Sequence, residues 1–358
     1  MWLFLLACTF SMTSPEPADA LPPVVALVTV DTWRADHLSP EATPAIWRLA
    51  EKGERYTNAW SPMGLTTPSH ASMLTGQAPW EHGVLANNHH GYALGASPPT
   101  LPEQYGDWAR GAFVSAYPAG PEGGMRRGWE VFDGPKTGER SGQETVQKAL
   151  AWLPEDRPAL LWVHLYEPHG PYVGTGATER ERYGEEVRRA DRMLKPLLDL
   201  LEQRGATIVI TSDHGEVLDE ERCSYQHERT ISEHVLRVPL VRWSPGIAPR
   251  QIDDMVGLMD VGPMLAGQAP SPRKDWVAQS GMCEPDCAPG CAPTGLSGRD
   301  SVVLDDGGRM VDRPGRGRFS VGSPAESLGA RLDALPDFKG PSGPGSDAAE
   351  SLGYLDPL

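Results

Sequence analysis

The chain has 358 residues, of which 39% are hydrophobic and 22% are charged. This composition is typical of a soluble globular protein with a large core, and it argues against a disordered or membrane-embedded class. The formal net charge is -16, and no cluster of lysine and arginine offsets it. We therefore predict no nucleic-acid partner, and an anionic substrate would need local positive charge, most simply from a metal ion.

The N-terminal segment predicts export. Residues 1–11 are apolar and are followed by a segment of Pro, Ser, Ala and Asp. The apolar stretch is too short to span a bilayer, but it resembles an export signal. Leu5-Leu6-Ala7-Cys8 also resembles a bacterial lipobox, in which a lipid on Cys8 would tether the protein to a membrane. We predict a periplasmic protein or a membrane-anchored lipoprotein of a bacterial envelope, the alternatives being a plain signal peptide or a frayed end.

The other cysteines favour disulfides. Apart from Cys8 the chain has four cysteines, an even number that could pair as disulfides in an oxidising compartment. They are Cys223, Cys283, Cys287 and Cys291. The run CEPDCAPGC has longer gaps than zinc ribbons prefer. A disulfide-pinned loop is therefore favoured over a metal knuckle.

Strand and helix patterns alternate along the first two thirds of the chain. Apolar, β-branched runs predict strands, and periodic or capped segments predict helices. The predicted strands are 23–30, 111–116, 159–165 and 206–211, and the predicted helices are 44–52, 69–74, 143–153 and 179–203. Such alternation predicts an α/β fold with a mostly parallel sheet and helices on both faces.

The domain prediction follows from composition. Residues 1–22 would be a signal and linker, and residues 23–267 a catalytic domain. From residue 268 the sequence turns to Pro, Gly, Asp and Arg, so we predict a loop-rich C-terminal subdomain over 268–358.

Polar side chains lie where the predicted strands end. Asp31 follows the first strand, and Asp213 and His214 follow a later one. Thr66 lies at the N-terminal end of a short predicted helix, where free N–H groups favour an anion. Because ligands in parallel sheets bind beyond the carboxyl ends of the strands, these residues indicate a metal-activated oxygen nucleophile for ester chemistry at phosphorus or sulfur. The alternative is that the two acids are helix or turn caps.

Six ordered motifs resemble the sulfatase family of the alkaline-phosphatase superfamily. They are VTVDTWRADHL, TPAIWRLAEKGERYTNAWSP, TTPSHASMLTG, HLYEPHGPY, ITSDHGE and RVPLVRWSPG. The resemblance covers residues 23 to 265 strongly and implies an alkaline-phosphatase-like fold. It also implies hydrolysis of a sulfate or phosphate ester.

The resemblance puts Thr66 at the nucleophile position. In true sulfatases a Cys or Ser in this motif is oxidised to formylglycine, which threonine cannot become, and His70 stands where the family has Arg. The threonine members of the superfamily are phosphatases, phosphodiesterases and phosphoethanolamine transferases. The prediction is therefore a hydrolase that favours phosphate mono- or diesters. A transferase of a phospho-substituent to a glycan or lipid, or a non-catalytic binding protein, is the alternative.

The resemblance also implies the ligands of a divalent metal. Asp31, Asp213 and His214 match the family's metal-binding positions, and Thr66 Oγ would complete a tetrahedral site. Calcium-binding sulfatases usually carry two adjacent acids after the first strand, where this chain has Asp31-Thr32. A nitrogen ligand and fewer carboxylates favour zinc or manganese, with calcium possible.

Histidines form a second tier of predicted site residues. In threonine-type relatives, residues at the positions of His169 and His227 face the substrate, where they bind a second metal or protonate the leaving group. His164 and Glu167 stay open between site and structural roles. We interpret the remaining candidates as structural, namely His37, His82 and His234.

The chain lacks the Lys-x-His pair with which sulfatases hold the sulfate, since the sequence at the end of the strand predicted at 111–116 is FVSAYPAG. Arg34, Arg229 or a second metal could replace it, although Arg34 could equally be a surface helix-cap residue.

Overall fold

The computed structural model describes residues 21, 23–88, 91–218, 227, 230–280, 300–313 and 317–335. Its strands are β1 Val24–Val30, β2 Glu54–Trp60, β3 Ala109–Val114, β4 Val131–Asp133, β5 Ala159–Leu165, β6 Thr207–Thr211, β7 Arg237–Trp243, β8 Arg250–Ile252, β9 Val256–Gly257, β10 Trp276–Gln279, β11 Ser301–Asp305, β12 Gly308–Arg313 and β13 Gly317–Gly322. Its α-helices are α1 Pro44–Lys52, α2 Thr66–Thr75, α3 Pro79–His82, α4 Gly142–Trp152, α5 Glu179–Gln203, α6 Glu233–Leu236, α7 Val261–Leu265 and α8 Leu328–Asp333.

The central sheet has nine strands in the order β4-β3-β5-β1-β6-β7-β2-β8, with β9 also paired to β2. The first five strands in this order, β4, β3, β5, β1 and β6, are parallel to one another. Strand β7 is antiparallel to both β6 and β2. The predicted α/β architecture with a mostly parallel sheet is therefore confirmed. The strand β1 lies between β5 and β6, near the middle of the sheet.

Helices cover both faces of this sheet, which explains the continuous apolar sequence of β1. Alternate residues of β1 enter different cores. Val24, Ala26, Val28 and Val30 join the core beneath α1, α4 and α5, whereas Val25 and Leu27 join the core beneath α2 and α7. Burial on both faces fixes β1 firmly, and the site residues that follow it share this rigid position.

The described C-terminal residues contain a second sheet of four antiparallel strands, β10 to β13. Trp276 anchors it, because its indole Nε1 donates to Ser61 O at 3.0 Å. Gln279 N donates to Pro62 O at 3.0 Å. The small sheet thus packs against the segment that leads from β2 to Thr66, while the domain boundary at residue 268 stays a prediction.

None of the helices in the described ranges combines the length and apolar composition needed to cross a bilayer. Several sequence predictions fall outside those ranges and stay predictions. They concern the proposed lipid on Cys8, the disulfide loop of Cys223, Cys283, Cys287 and Cys291, and the substrate contact of Arg229.

Candidate metal and catalytic site

The candidate site begins at three adjacent strand ends. Parallel pairing sets Thr29 of β1 level with His164 of β5 on one side and with Thr211 of β6 on the other. Asp31 follows β1 directly, and Asp213 comes shortly after β6. Strand register therefore brings both carboxylates to the same edge of the sheet, where ligands bind in open α/β sheets.

Asp31, Asp213 and His214 form a buried group whose ligand atoms lie within 4.8 Å of one another. All three residues have 0% exposure. Asp31 Oδ1, Asp213 Oδ2 and His214 Nε2 have no hydrogen-bond partner among the described residues. An unpaired buried polar group costs about 1–3 kcal/mol, so such atoms are rare without a reason. Two carboxylate oxygens and an imidazole nitrogen left in this way fit a divalent cation.

Neighbouring groups hold these ligands in place. Asp213 Oδ1 accepts from Thr32 N at 3.3 Å and from His214 N at 3.0 Å, which leaves Oδ2 for a metal. His214 Nδ1 lies 3.0 Å from Gly215 O, so this nitrogen carries the proton and Nε2 keeps its lone pair. Thr32 has a φ of 53°, an uncommon conformation for a β-branched residue. Such strain persists where surrounding contacts fix the backbone, and it is concentrated at functional sites.

The buried group of Asp31, Asp213 and His214 contains two carboxylates and one imidazole, and their proximity shifts the pKa values. Burial, and then the charge of Asp213, raise the pKa of the Asp31 carboxyl well above its usual range. Burial also opposes ionisation of Asp213, but the neighbouring imidazoles of His214 and His70 lower its pKa overall. Burial lowers the pKa of His214 as well. A bound cation would stabilise both carboxylates in the ionised form and His214 in the neutral form, which is the protonation state that metal ligands need.

Thr66 lies beside this group as the first residue of α2. Its Oγ1 donates to Asp31 Oδ2 at 3.3 Å. Asn87 Oδ1 accepts from Thr67 N at 3.0 Å, so the amide of Asn87 is held at the same helix end. The sequence analysis did not identify Asn87, and no local motif marks it, because it reaches α2 only after the chain returns from α3.

Two of the predicted second-tier histidines, His169 and His227, lie next to the group. The His227 ring centroid is 4.3 Å from that of His214 and 5.1 Å from that of His169. Both carboxylate oxygens of Glu216 lie 3.3 Å from His227 Nδ1, so Glu216 orients this ring. Burial raises the pKa of Glu216 to about 7. The sequence analysis missed the role of Glu216, although it belongs to the ITSDHGE motif.

His164, for which the sequence left site and structural roles open, lies beside the same group. Its Nε2 is 3.5 Å from Asp31 Oδ2, and its Nδ1 is 3.1 Å from Thr29 Oγ1. His70 contacts the same Thr29 hydroxyl through Nε2 at 3.1 Å, and its Nδ1 lies 2.8 Å from Thr66 O. Both buried histidines therefore contact the Thr29 hydroxyl, and His70 connects α2 to β1 through it.

Other candidates have structural contacts. Both carboxylate oxygens of Glu167 lie 3.2 Å from Gly142 N, so this residue caps α4. Arg34 pairs with Asp36 at 2.6 Å and donates to Glu216 O at 3.2 Å. These contacts occupy the Arg34 guanidinium, so they give no support to the idea that it replaces the missing Lys-x-His pair.

The histidines interpreted as structural also have partners. His82 Nε2 lies 3.0 Å from Ser72 Oγ, and its Nδ1 accepts from Val84 N at 3.1 Å. His37 Nδ1 lies 2.9 Å from an Asp36 oxygen. His234 Nδ1 lies 3.0 Å from the Arg34 guanidinium.

The nine-stranded, mostly parallel sheet with helices on both faces is an alkaline-phosphatase-like fold. The model of the family described as Sulfatase matches residues 23–271. The chain therefore belongs to the sulfatase family.

Curated relatives and solved structures are similar to this chain at low identity. N-acetylgalactosamine-6-sulfatase of Canis lupus familiaris is 25% identical over an alignment that covers 76% of this chain and 63% of that protein. Bis(5'-adenosyl)-triphosphatase ENPP4 of Pongo abelii is 23% identical over 224 residues, covering 56% and 49%. The chain thus spans about half to two thirds of these relatives. The phosphonate monoester hydrolase SpPMH from Silicibacter pomeroyi has a TM-score of 0.66 at 16% identity, covering 87% and 93%.

Proposed function

We propose that this protein is a metal-dependent hydrolase of a sulfate or phosphate ester, with phosphate mono- or diesters favoured, and that Thr66 is its nucleophile. One observation carries the proposal. The Thr66 hydroxyl lies 3.3 Å from Asp31 Oδ2 at the start of α2, beside a buried group of unpartnered ligand atoms. A hydroxyl, a helix N-terminus and a metal site in contact are the parts that an in-line ester displacement needs.

The proposed metal ligands are Asp31, Asp213, His214 and Thr66. Zinc or manganese is favoured over calcium, because the group contains an imidazole and few carboxylates. When bound, such an ion supplies positive charge that stabilises the oxygens of the transferred group and lowers the pKa of a neighbouring hydroxyl.

The protein's own residues divide the remaining work. Thr66 Oγ1 forms the new bond to phosphorus, and its proton passes to Asp31 Oδ2, which already accepts its hydrogen bond. The amide NH₂ of Asn87, whose Oδ1 accepts from Thr67 N, binds the non-bridging oxygens. As the bond to the leaving group breaks, His169 or His227 protonates the departing oxygen, and Glu216 stabilises the His227 ring. Water then displaces the phosphoryl group from Thr66.

The side chain at position 66 favours phosphorus over sulfur. Without an aldehyde hydrate, a sulfated enzyme cannot release sulfate by elimination, whereas water can attack the phosphorus of a phosphothreonine. The relatives include proteins named for both chemistries, a sulfatase and a triphosphatase, so the nucleophile decides the preference.

The test is a panel of nitrophenyl phosphate, phosphodiester and sulfate substrates, assayed with metal-loaded protein and with Thr66→Ala. We expect phosphoester turnover that falls by at least about 10³-fold in Thr66→Ala, because the variant lacks the hydroxyl that forms the covalent bond. Thr75→Ala is the matched control, since this hydroxyl bonds to Ala71 O at the far end of the same helix.

Sulfate turnover that survives Thr66→Ala would contradict the mechanism. Thr66-linked product that is released only when an acceptor alcohol is supplied would identify the transferase. Metal binding without turnover of any substrate would identify the binding protein. Export to a bacterial envelope is a separate proposal, which fractionation of cells expressing the full chain would test.

A further inference from the structure

The chain just after β3 lies level with the proposed metal group at the carboxyl edge of the sheet. Strand β5 lies between β3 and β1, and its His164 is level with Val114 on one side and with Thr29 on the other. Two residues further along, Ala116 is therefore level with Asp31. Adjacent strands are about 4.8 Å apart, so the backbones of these two residues are about 10 Å from each other.

This segment also contacts the helix that begins at the proposed nucleophile, Thr66. Thr67 Oγ1 donates to Pro118 O at 2.7 Å, and Asn88 Nδ2 donates to Tyr117 O at 2.8 Å. Asn88 is tied to the same helix, because its backbone N–H donates to Thr67 Oγ1 at 3.1 Å. The segment after β3 therefore forms one wall beside the nucleophile.

Glu139 is fixed to this wall by backbone pairing. It forms an isolated antiparallel bridge with Ala116, and Tyr117 N donates to Gly138 O at 2.9 Å beside it. The Ser115 hydroxyl bonds to a threonine of α4, so the next residue, which is extended, is directed to the opposite face, that of α2. Residues paired in an antiparallel bridge share a face. The exposed side chain of Glu139 therefore lies on the face that carries the nucleophile.

The charges that act on Glu139 have its own sign. Burial, and then the charges of Glu167 and Glu186, raise the pKa of its carboxyl. Burial is the main cause of the raised pKa of Asp31, and the charge of Glu139 adds to it. The adjacent Arg140 is held on the α4 side, where a threonine and an aspartate accept its hydrogen bonds. The negative charge of Glu139 therefore reaches the site.

We propose that Glu139 is a specificity-determining residue that disfavours a second negative charge on the substrate. The substrate class is then a phosphodiester with neutral or cationic alcohols, rather than a phosphomonoester dianion. The inference rests on the proposed function and narrows its substrate class. Charges about 10 Å apart interact weakly in water but more strongly beside a protein surface, so each added charge should change kcat/KM by about 3- to 10-fold.

The test compares three nitrophenyl phosphate esters that share a leaving group and differ in charge. They are nitrophenyl phosphate, a dianion, its methyl ester, a monoanion, and its choline ester, which has no net charge. In metal-loaded Glu139→Gln we expect kcat/KM to rise by about 3- to 10-fold for the dianion relative to the monoanion, and to fall for the choline ester. A merely structural change would lower all three together.

Matched variants separate this effect from net charge and from folding. Glu155→Gln removes the same charge from the loop before β5, at the opposite edge of the sheet, and should leave the three values unchanged. Glu139→Asp keeps the charge and should keep the wild-type order of substrates. Salt at about 1 M should reduce the effect of Glu139→Gln, because the Debye length falls to about 3 Å.

Calorimetry gives a readout that needs no turnover. Inorganic phosphate, mainly a dianion at neutral pH and above, should bind metal-loaded Glu139→Gln at least about 3-fold more tightly than the wild type, and the monoanion dimethyl phosphate should gain less. Equal changes for the two anions, binding of neither, or the same response in Glu155→Gln would overturn the inference. Turnover of none of the three esters by the wild type would instead contradict the proposed function, while the binding of phosphate would still test Glu139.

Discussion

Two groups of buried carboxylates lie on the central sheet, and they differ in how their charge is balanced. Glu54, at the start of β2, is 2% exposed and accepts from Tyr56 Oη at 2.8 Å, from Arg242 Nη1 at 3.3 Å and from Arg250 Nε at 3.0 Å. Asp31 and Asp213 are fully buried, and each leaves one carboxylate oxygen without a partner in the described chain.

The difference shows that burial of an acid does not by itself indicate function. A buried charge is tolerated when it is paired and hydrogen-bonded. At Glu54 the chain supplies the partners, as two arginines and a tyrosine. At Asp31 and Asp213 the described chain leaves one carboxylate oxygen of each residue unpaired, and this is the arrangement that the proposed metal site requires.

The largest expected difference between the two groups is in metal binding and activity. Asp31→Asn should abolish tight metal binding and lower phosphoester turnover by at least about 10³-fold, because it removes a ligand and the acceptor of the Thr66 proton. Glu54→Gln should leave both unchanged. Metal analysis and steady-state kinetics of the two variants measure this. Metal content lost equally in both variants would mean that the two carboxylates do not differ in function.

The second prediction concerns the free energy of unfolding in EDTA, which should fall in Glu54→Gln and rise in Asp31→Asn. Glu54→Gln should destabilise the protein by about 3 kcal/mol, because it leaves Arg242 buried without its charged partner. Asp31→Asn should stabilise the metal-free protein by about 1 kcal/mol at pH 8, because it removes repulsion from Asp213. Urea unfolding measures both values, and a destabilised Asp31→Asn variant would argue against an unbalanced site.

The third prediction is the pH dependence of the metal-free protein. The pKa of Asp31 is raised in the folded state by burial and by Asp213. The stability that comes from its protonated form is therefore complete below about pH 4 and is lost as the pH rises through the folded pKa. The lowered pKa of Asp213 stabilises the folded protein above about pH 4, and this contribution is lost as the pH falls further.

Urea unfolding in EDTA between pH 4 and 8 should therefore show the wild type losing stability relative to Asp31→Asn as the pH rises. The lowered pKa of buried histidines such as His214 acts in the opposite direction in both proteins, so it does not decide this difference. That variant isolates Asp31 from Glu216, whose raised pKa acts in the same direction. Parallel pH profiles of the wild type and the variant would count against the raised pKa of Asp31.

The smallest expected effect is that of Arg250→Ala. The Arg250 side chain is 56% exposed, and Arg242 still pairs with Glu54 in its absence. Exposed ion pairs are worth about 0–1 kcal/mol, so we expect the midpoint of urea unfolding to change little and metal binding not at all. A loss as large as that in Glu54→Gln would show that the exposed arginine, rather than the buried one, balances Glu54.

Local sequence was sufficient for the elements with strong apolar patterns. The predicted strand at 159–165 and the helix at 179–203 have the same bounds in the structure, because continuous apolar runs and a long amphipathic stripe are strong signals. Strand β2, ERYTNAW, was not predicted. Its polar residues are compatible with a strand only because β7 and β8 pair with it and two distant arginines neutralise Glu54.

The sequence by itself determined which chemical groups lie at the strand ends. A carboxylate, an Asp-His pair and a hydroxyl are local features of their motifs, and they point to a metal-activated nucleophile without reference to the fold. The tertiary structure decided which other side chains join them. His164 meets Asp31 because β5 pairs with β1 in one register, and Glu216 contacts His227, which lies 11 residues further along the chain. Whether a buried polar atom has a partner depends on contacts far apart in the chain, and only the folded protein defines them.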